Sequence, residues 1–145
     1  RLLHVEVGIS LRHITLSTVG VVPNIRKLAA EELPITLAVS LHAPNDVLRT
    51  ELVPLNEKYP IATLMDACRD YVTQTRRRIT FEYVLMAGVN DTAKEAHELG
   101  ALLQREPLVS VNTIPYNTTD VASRYRRPTP EATRQFREIV ASYGV

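Results

Sequence analysis

Apolar and polar residues alternate with a period of two in four separate stretches of this chain, and successive side chains of a strand leave opposite faces of a sheet. In the first stretch His13, Thr15 and Ser17 stand opposite Ile14 and Leu16. In the second, Thr36, Ala38, Ser40 and His42 oppose Ile35, Leu37, Val39 and Leu41. The third sets Thr80 and Glu82 against Ile79, Phe81 and Tyr83, and the fourth sets Ser110 and Asn112 against Val109 and Val111. Each stretch predicts a strand with one small or polar face and one large apolar face. Alternation alone equally describes the wet side of an antiparallel sheet, so the intervening segments decide.

Those segments have helical spacing. Pro23 can open a helix carrying Ile25, Leu28 and Ala29 that ends near Pro34, and Asn45 can cap a short helix through Leu52. Ile61, Leu64, Met65, Cys68, Tyr71 and Val72 recur on one face of a longer helix, from 61 to about 75. Thr92 and Glu95 form a capping box before Ala96, Leu99 and Leu103. Thr129 and Pro130 start a last helix whose face is Phe136, Ile139, Val140 and Tyr143, with Gly144 at its end. Strands alternating with helices predict an α/β fold of about four consecutive βα units with parallel pairing. The helices would cover the apolar faces and leave the polar ones lining an incomplete parallel barrel. Closed barrels fill that interior with branched apolar residues, so a wet lumen is a departure that invites a ligand.

Composition narrows the setting. The 145 residues, 45% hydrophobic and 23% charged, fit one globular core, and a net charge of +1 carries no global signal for nucleic acid. No apolar run approaches membrane-spanning length. The single cysteine excludes an intramolecular disulfide framework, and the expected setting is the cytoplasm. Four βα units cannot close a barrel by themselves. The expectation is therefore that residues 1–145 are a fragment of one larger core domain, able to self-associate through its open sheet edges.

Local strings sharpen this reading. RHITLSTVGVVPNIRKLA at 12–29, LAVSLHAPNDVLRTELVPLN at 37–56, RITFEYVLMAGVND at 78–91 and VNTIPYN at 111–117 together closely resemble the RlmN family. Its members are radical S-adenosylmethionine enzymes that methylate carbon 2 of adenine in large-subunit ribosomal RNA and some transfer RNAs. The resemblance implies a partial radical-SAM (β/α)6 barrel of which this chain holds the last four strands. It also implies that the CxxxCxxC loop for a 4Fe–4S cluster, the glycine- and glutamate-bearing motif and the cysteine methylated during turnover lie outside these residues. The intact parent would need an electron donor for the cluster, and the fragment alone is expected to be inactive.

Carried onto matching positions, the resemblance marks Ser17, the triplet Ser40, Leu41 and His42, and Asn117 as S-adenosylmethionine contacts. All fall at or just beyond strand C-terminal ends, where barrel enzymes gather ligand contacts. Spacing alone reads Ser17 and Ser40 as hydroxyls bonded to their own loops. No histidine, cysteine or carboxylate stands at ligand spacing around His42, which argues against a metal site. Neither a catalytic residue nor a metal ligand is assigned within the chain. Glu82, mid-strand on the inner face, needs a hydrogen-bonded partner such as Thr80 or Asn112. Arg124, Tyr125, Arg126 and Arg127 lie in a loop on the active-site side, where they offer phosphate grips and a stacking face for RNA. Arg76, Arg77 and Arg78 precede a strand and belong to the opposite rim. Cys68 reads as a buried thiol, Asn90 and Asp91 as turn formers, His13 as a lumen or floor residue, and His4 and His97 as surface residues. Two other classes stay open: an aldolase- or isomerase-type barrel using Glu82 and His42 as acid and base, and a non-catalytic RNA-binding module using the arginine loop.

Overall fold

Residues 10–117 and 123–145 are described by the structure, a computed structural model; His4 lies outside the described residues. Strands β1 (Thr15–Thr18), β2 (Thr36–Ser40), β3 (Ile79–Leu85) and β4 (Val109–Pro115) alternate with five helices. These are α1 (Val22–Ala30), α2 (Asp46–Leu52), α3 (Ile61–Thr75), α4 (Ala93–Leu103) and α5 (Pro130–Ala141). The strands form one sheet in the order β1-β2-β3-β4, and every pairing is parallel. Four βα units in succession thus make the wall of an incomplete barrel.

Local signals account for most of the boundaries. Asn45 Oδ1 accepts from the Leu48 N–H at 3.0 Å, and Thr129 Oγ1 accepts from the Ala132 N–H at 3.1 Å, each capping its helix as its residue type favours. The box expected at α4 does not form. The Thr92 hydroxyl instead donates to the Glu95 carboxylate, and its side chain accepts no backbone N–H of the helix.

Helices α1, α3, α4 and α5 cover one side of the sheet, and α2 sits at the strand C-terminal ends. Leu37, Val39 and Leu41 of the β2 segment and Ile79, Phe81, Tyr83 and Leu85 of β3 are fully buried. They join Ile25 and Ala29 of α1, Leu64 and Tyr71 of α3, Leu99 of α4 and Phe136 of α5 in one core. Burying one such large side chain stabilises by about 1.5–3 kcal/mol, so this apolar face fixes which way the sheet turns. Among the described residues, no helix packs its apolar face on the other side.

The edge strands blur the pattern. Val109 and Val111 only partly enter the core, while Leu16 is 44% exposed. A strand paired on one side has fewer neighbours to bury its apolar face. His13 corrects the sequence reading: it sits in a 3-10 turn, Leu11–His13, ahead of β1 and is exposed, so it neither fills a lumen nor lines a barrel floor.

Candidate functional site

Parallel register stacks the uncovered side chains in rows across the sheet, because paired residues on neighbouring strands share a face. Ser17, Ala38, Thr80 and Ser110 make one row, and Ser40, Glu82 and Asn112 make the next toward the strand C-terminal ends. Thr80 and Ser110 hydroxyls are 3.3 Å apart, and Asn112 Nδ2 donates to Glu82 Oε2 at 2.9 Å. Glu82 therefore has Asn112 as its partner, and Thr80 turns to Ser110. A third row, Val84 and Ile114, is apolar. Ser17 is exposed and Ser40 half-buried, both on this wet face.

His42 departs from simple alternation. Strand β2 stops at Ser40, and His42 has φ 59°, a left-handed conformation that residues other than glycine seldom adopt. The Leu41 N–H donates to the Glu82 carbonyl at 3.0 Å, so a regular parallel ladder would next send the Val84 N–H to the Leu41 carbonyl. It goes instead to His42 Nδ1 at 3.1 Å. The imidazole completes the last rung. An accepting Nδ1 carries no proton, which leaves the ring proton on Nε2. Burial first, and then the Arg49 charge, hold the ring below its ordinary pKa, against a smaller opposing contact with the Glu82 main chain. His42 is thereby a neutral donor near neutral pH, and it is not joined to Glu82 as an acid–base pair.

Sequence reasoning missed Arg49 of α2, which is fully buried. Its Nε donates to the Leu41 carbonyl at 3.2 Å, and its Nη2 donates to the carbonyls of Ser40 at 3.1 Å and Val19 at 3.0 Å. Nη1 donates to Asn56 Oδ1 at 2.9 Å, and Asn56 Nδ2 in turn donates to Asp46 Oδ1, also at 2.9 Å. A cation on a short helix ordinarily reads as solvated surface, so the sequence held no signal for this role. Gly20 does leave a trace. Its φ is 102°, and a Cβ at this position would stand 3.2 Å from Arg49 Nη2, which explains why glycine closes the turn after β1.

Asn90 also exceeds its expected part as a turn former. Fully buried, it donates through Nδ2 to the carbonyls of His42 and Val84, each at 2.8 Å, and accepts from the Met86 N–H at 2.7 Å. Asp91 keeps the turn role, accepting from the Gly88 N–H at 2.7 Å. Leu41 has its side chain in the core and both main-chain groups engaged, so it braces its neighbours rather than offering a free group to a ligand.

The other candidates lie at the far edge of the sheet or away from it. Asn117 follows β4 and is exposed, and its Oδ1 accepts from Arg127 Nη1 at 3.3 Å. Three strand spacings, roughly 14 Å along the sheet, separate β1 from β4, so only an extended ligand can touch Ser17 and Asn117 together. The arginine loop is tied to the strand C-terminal end by the Ala87 N–H, which donates to the Arg126 carbonyl at 2.9 Å. Arg124 lies 4.8 Å from the centre of the Tyr125 ring and 3.9 Å from Glu51. Beside Arg127, a 370 Å³ cleft opens against Pro115, Arg134 and Arg137. Arg77 and Arg78 cap the opposite rim, donating to the carbonyls of Pro34 and Val109. His97 is exposed and pairs with the Tyr143 hydroxyl at 3.0 Å. Cys68 is buried, and desolvation leads in pushing its thiol up to about 12.

Comparison with known proteins agrees with this geometry. No family model matches the chain. A probable dual-specificity RNA methyltransferase RlmN from Symbiobacterium thermophilum is 48% identical over 147 residues, covering 100% of this chain and 39% of the relative. The protein of the same description from Desulforudis audaxviator is 53% identical over 137 residues, covering 94% and 42%. A radical SAM methyltransferase from Sphaerobacter thermophilus superposes at TM-score 0.95 with 50% identity, covering 100% of this chain and 42% of that one. A domain of pyruvate-formate lyase-activating enzyme from Bacteroides vulgatus shares the fold at TM-score 0.68 and 15% identity, covering 90% of this chain and 76% of that domain. The chain spans about two fifths of the length of the RlmN relatives it matches.

Proposed function

We infer that this relative of the RlmN-type radical SAM methyltransferases supplies half of an S-adenosylmethionine cradle in an enzyme that methylates carbon 2 of adenine in ribosomal and transfer RNA. The observation that carries the reading is the uncovered sheet face, on which groups from β1 and β2 stand beside a neutral His42 fixed at the β2 end. Its donor set fits the cofactor. Ser17 and Ser40 hydroxyls and the His42 Nε2–H suit a ribose and a carboxylate, the Asn117 amide suits an adenine edge, and Val84 and Ile114 offer a flat apolar surface for the base. Bound there, S-adenosylmethionine supplies the methyl group and the radical chemistry. The chain's own residues would orient it: a neutral His42 would donate a hydrogen bond without adding charge, and Glu82, held by Asn112, sets the polarity of the floor.

A 4Fe–4S cluster does not fit these residues. Such clusters are typically held by several thiolates, and Cys68 is the sequence's single cysteine, buried on α3 with its thiol protonated. We therefore place the cluster ligands and the methyl-carrying cysteine outside residues 1–145, in other parts of one core domain. The loop carrying Arg124, Tyr125, Arg126 and Arg127 becomes part of the RNA rim, on the same end as the cradle.

Anaerobic iron–sulfide reconstitution followed by an RNA methylation assay tests both parts. The intact parent should yield 2-methyladenine, and the 145-residue chain should yield neither a stable cluster nor product. A parent that leaves adenine unmethylated removes the function, and product from this chain alone removes the division of labour.

A further inference from the structure

We propose that Arg49 is the positioning residue of the cradle, setting the tautomer of His42 and the spacing of the β1 and β2 ends through their main-chain carbonyls. The proposal rests on reading the wet face as an S-adenosylmethionine cradle and adds the residue that shapes it.

A buried charge is costly unless its hydrogen bonds are met, and a leucine would fill the same volume without that cost. Arg49 spends its donors on three carbonyls and the Asn56 amide oxygen. Asp46 contributes its charge from nearby, yet its carboxylate accepts from Asn56 and from the Ile61 N–H. The carbonyls belong to two different strand ends. Val19 lies in the turn after β1, two residues from Ser17, and Ser40 and Leu41 close β2. A planar guanidinium holds such acceptors at fixed relative positions, which a lysine ammonium on a flexible stem does not.

The second consequence concerns the ladder. Arg49 Nε donates to the Leu41 carbonyl, the acceptor a regular ladder would offer next, and with the chain turned at His42 the Val84 N–H takes His42 Nδ1 instead. The ring is left with one free donor, Nε2–H. Arg49 also adds a nearby positive charge that disfavours the imidazolium. One side chain that touches no ligand therefore fixes both the protonation and the direction of one that does.

The test compares wild type, Arg49→Lys and His42→Gln in the intact parent, with the ring measurement repeated on the chain as it stands. Thermal melting reports folding, long-range proton–nitrogen NMR reports which His42 nitrogen is protonated, and calorimetry reports S-adenosylmethionine affinity. In Arg49→Lys, the single Nε2–H tautomer should give way to a mixture and affinity should fall roughly tenfold, the scale of losing a charge-assisted hydrogen bond. A folded Arg49→Lys protein with a lowered melting point but wild-type ring signals and affinity reduces Arg49 to a packing residue and overturns the proposal. A wild-type intact parent that takes up no S-adenosylmethionine overturns the cradle reading instead. The ring measurement needs no ligand, so it still decides whether Arg49 sets His42.

Discussion

The C-terminal ends of β2 and β4 both present candidate cofactor contacts, and they are held in opposite ways. At the β2 end, Arg49 grips the Ser40 and Leu41 carbonyls, Asn90 grips the His42 carbonyl, and the Val84 N–H grips the His42 ring. At the β4 end the main chain is anchored by the Tyr116 N–H, which donates to the Leu85 carbonyl at 2.8 Å. Asn117 itself is exposed, with Arg127 as its hydrogen-bond partner. The first end is organised before a ligand arrives, so binding there orders little. The second must order exposed side chains as it binds, which costs roughly 0.5–1.5 kcal/mol for each one immobilised.

The contrast predicts unequal responses to mutation. Asn90→Ala removes the amide bonds to His42, Val84 and Met86 from a buried site, and urea unfolding should show a loss of about 2–3 kcal/mol. A loss within experimental error would mean that the β2 end is not over-determined. Gly20→Ala forces a side chain into left-handed backbone beside Arg49 Nη2 and should cost about 1–2 kcal/mol by the same measurement.

The third test uses pH. The folded state holds His42 below its ordinary pKa, so the unfolded chain takes up the proton first as pH falls. The stability carried by the neutral ring is present above about pH 6.5 and is lost as pH drops through the lower folded value. His42→Gln should therefore flatten the stability curve below about pH 6.5, and an unchanged slope would assign that loss to other groups. The smallest effect belongs to the β4 end. Asn117→Ala should alter stability by less than about 0.5 kcal/mol while weakening S-adenosylmethionine binding, and a large drop in melting point would make the two ends alike.

Residue pattern reached far in this molecule. The period of two set the buried and wet faces of β2 and β3, from Leu37 through Leu85, because an apolar face must find a helix to cover it and a polar one need not. Caps at Asn45 and Thr129 and the helix Ile61–Thr75 were equally legible, since their causes lie within a few residues of one another. Matched strings marked Ser17, Ser40 and His42, and the fold put the two serines on one uncovered face. His13 was misplaced because alternation does not reveal where a strand starts, and His42, rightly read at or just beyond the β2 end, leaves the alternating pattern because β2 stops at Ser40. Arg49 and Asn90 were invisible as a brace because their acceptors, Val19, Ser40, Leu41, His42 and Val84, come from separate segments. Chain composition and periodicity thus determined which faces are wet and which are dry. Only the tertiary fold decided that a buried guanidinium and a buried amide would bind the ends of neighbouring strands, because hydrogen bonds between distant segments exist only once packing has brought them together and excluded water from the gap.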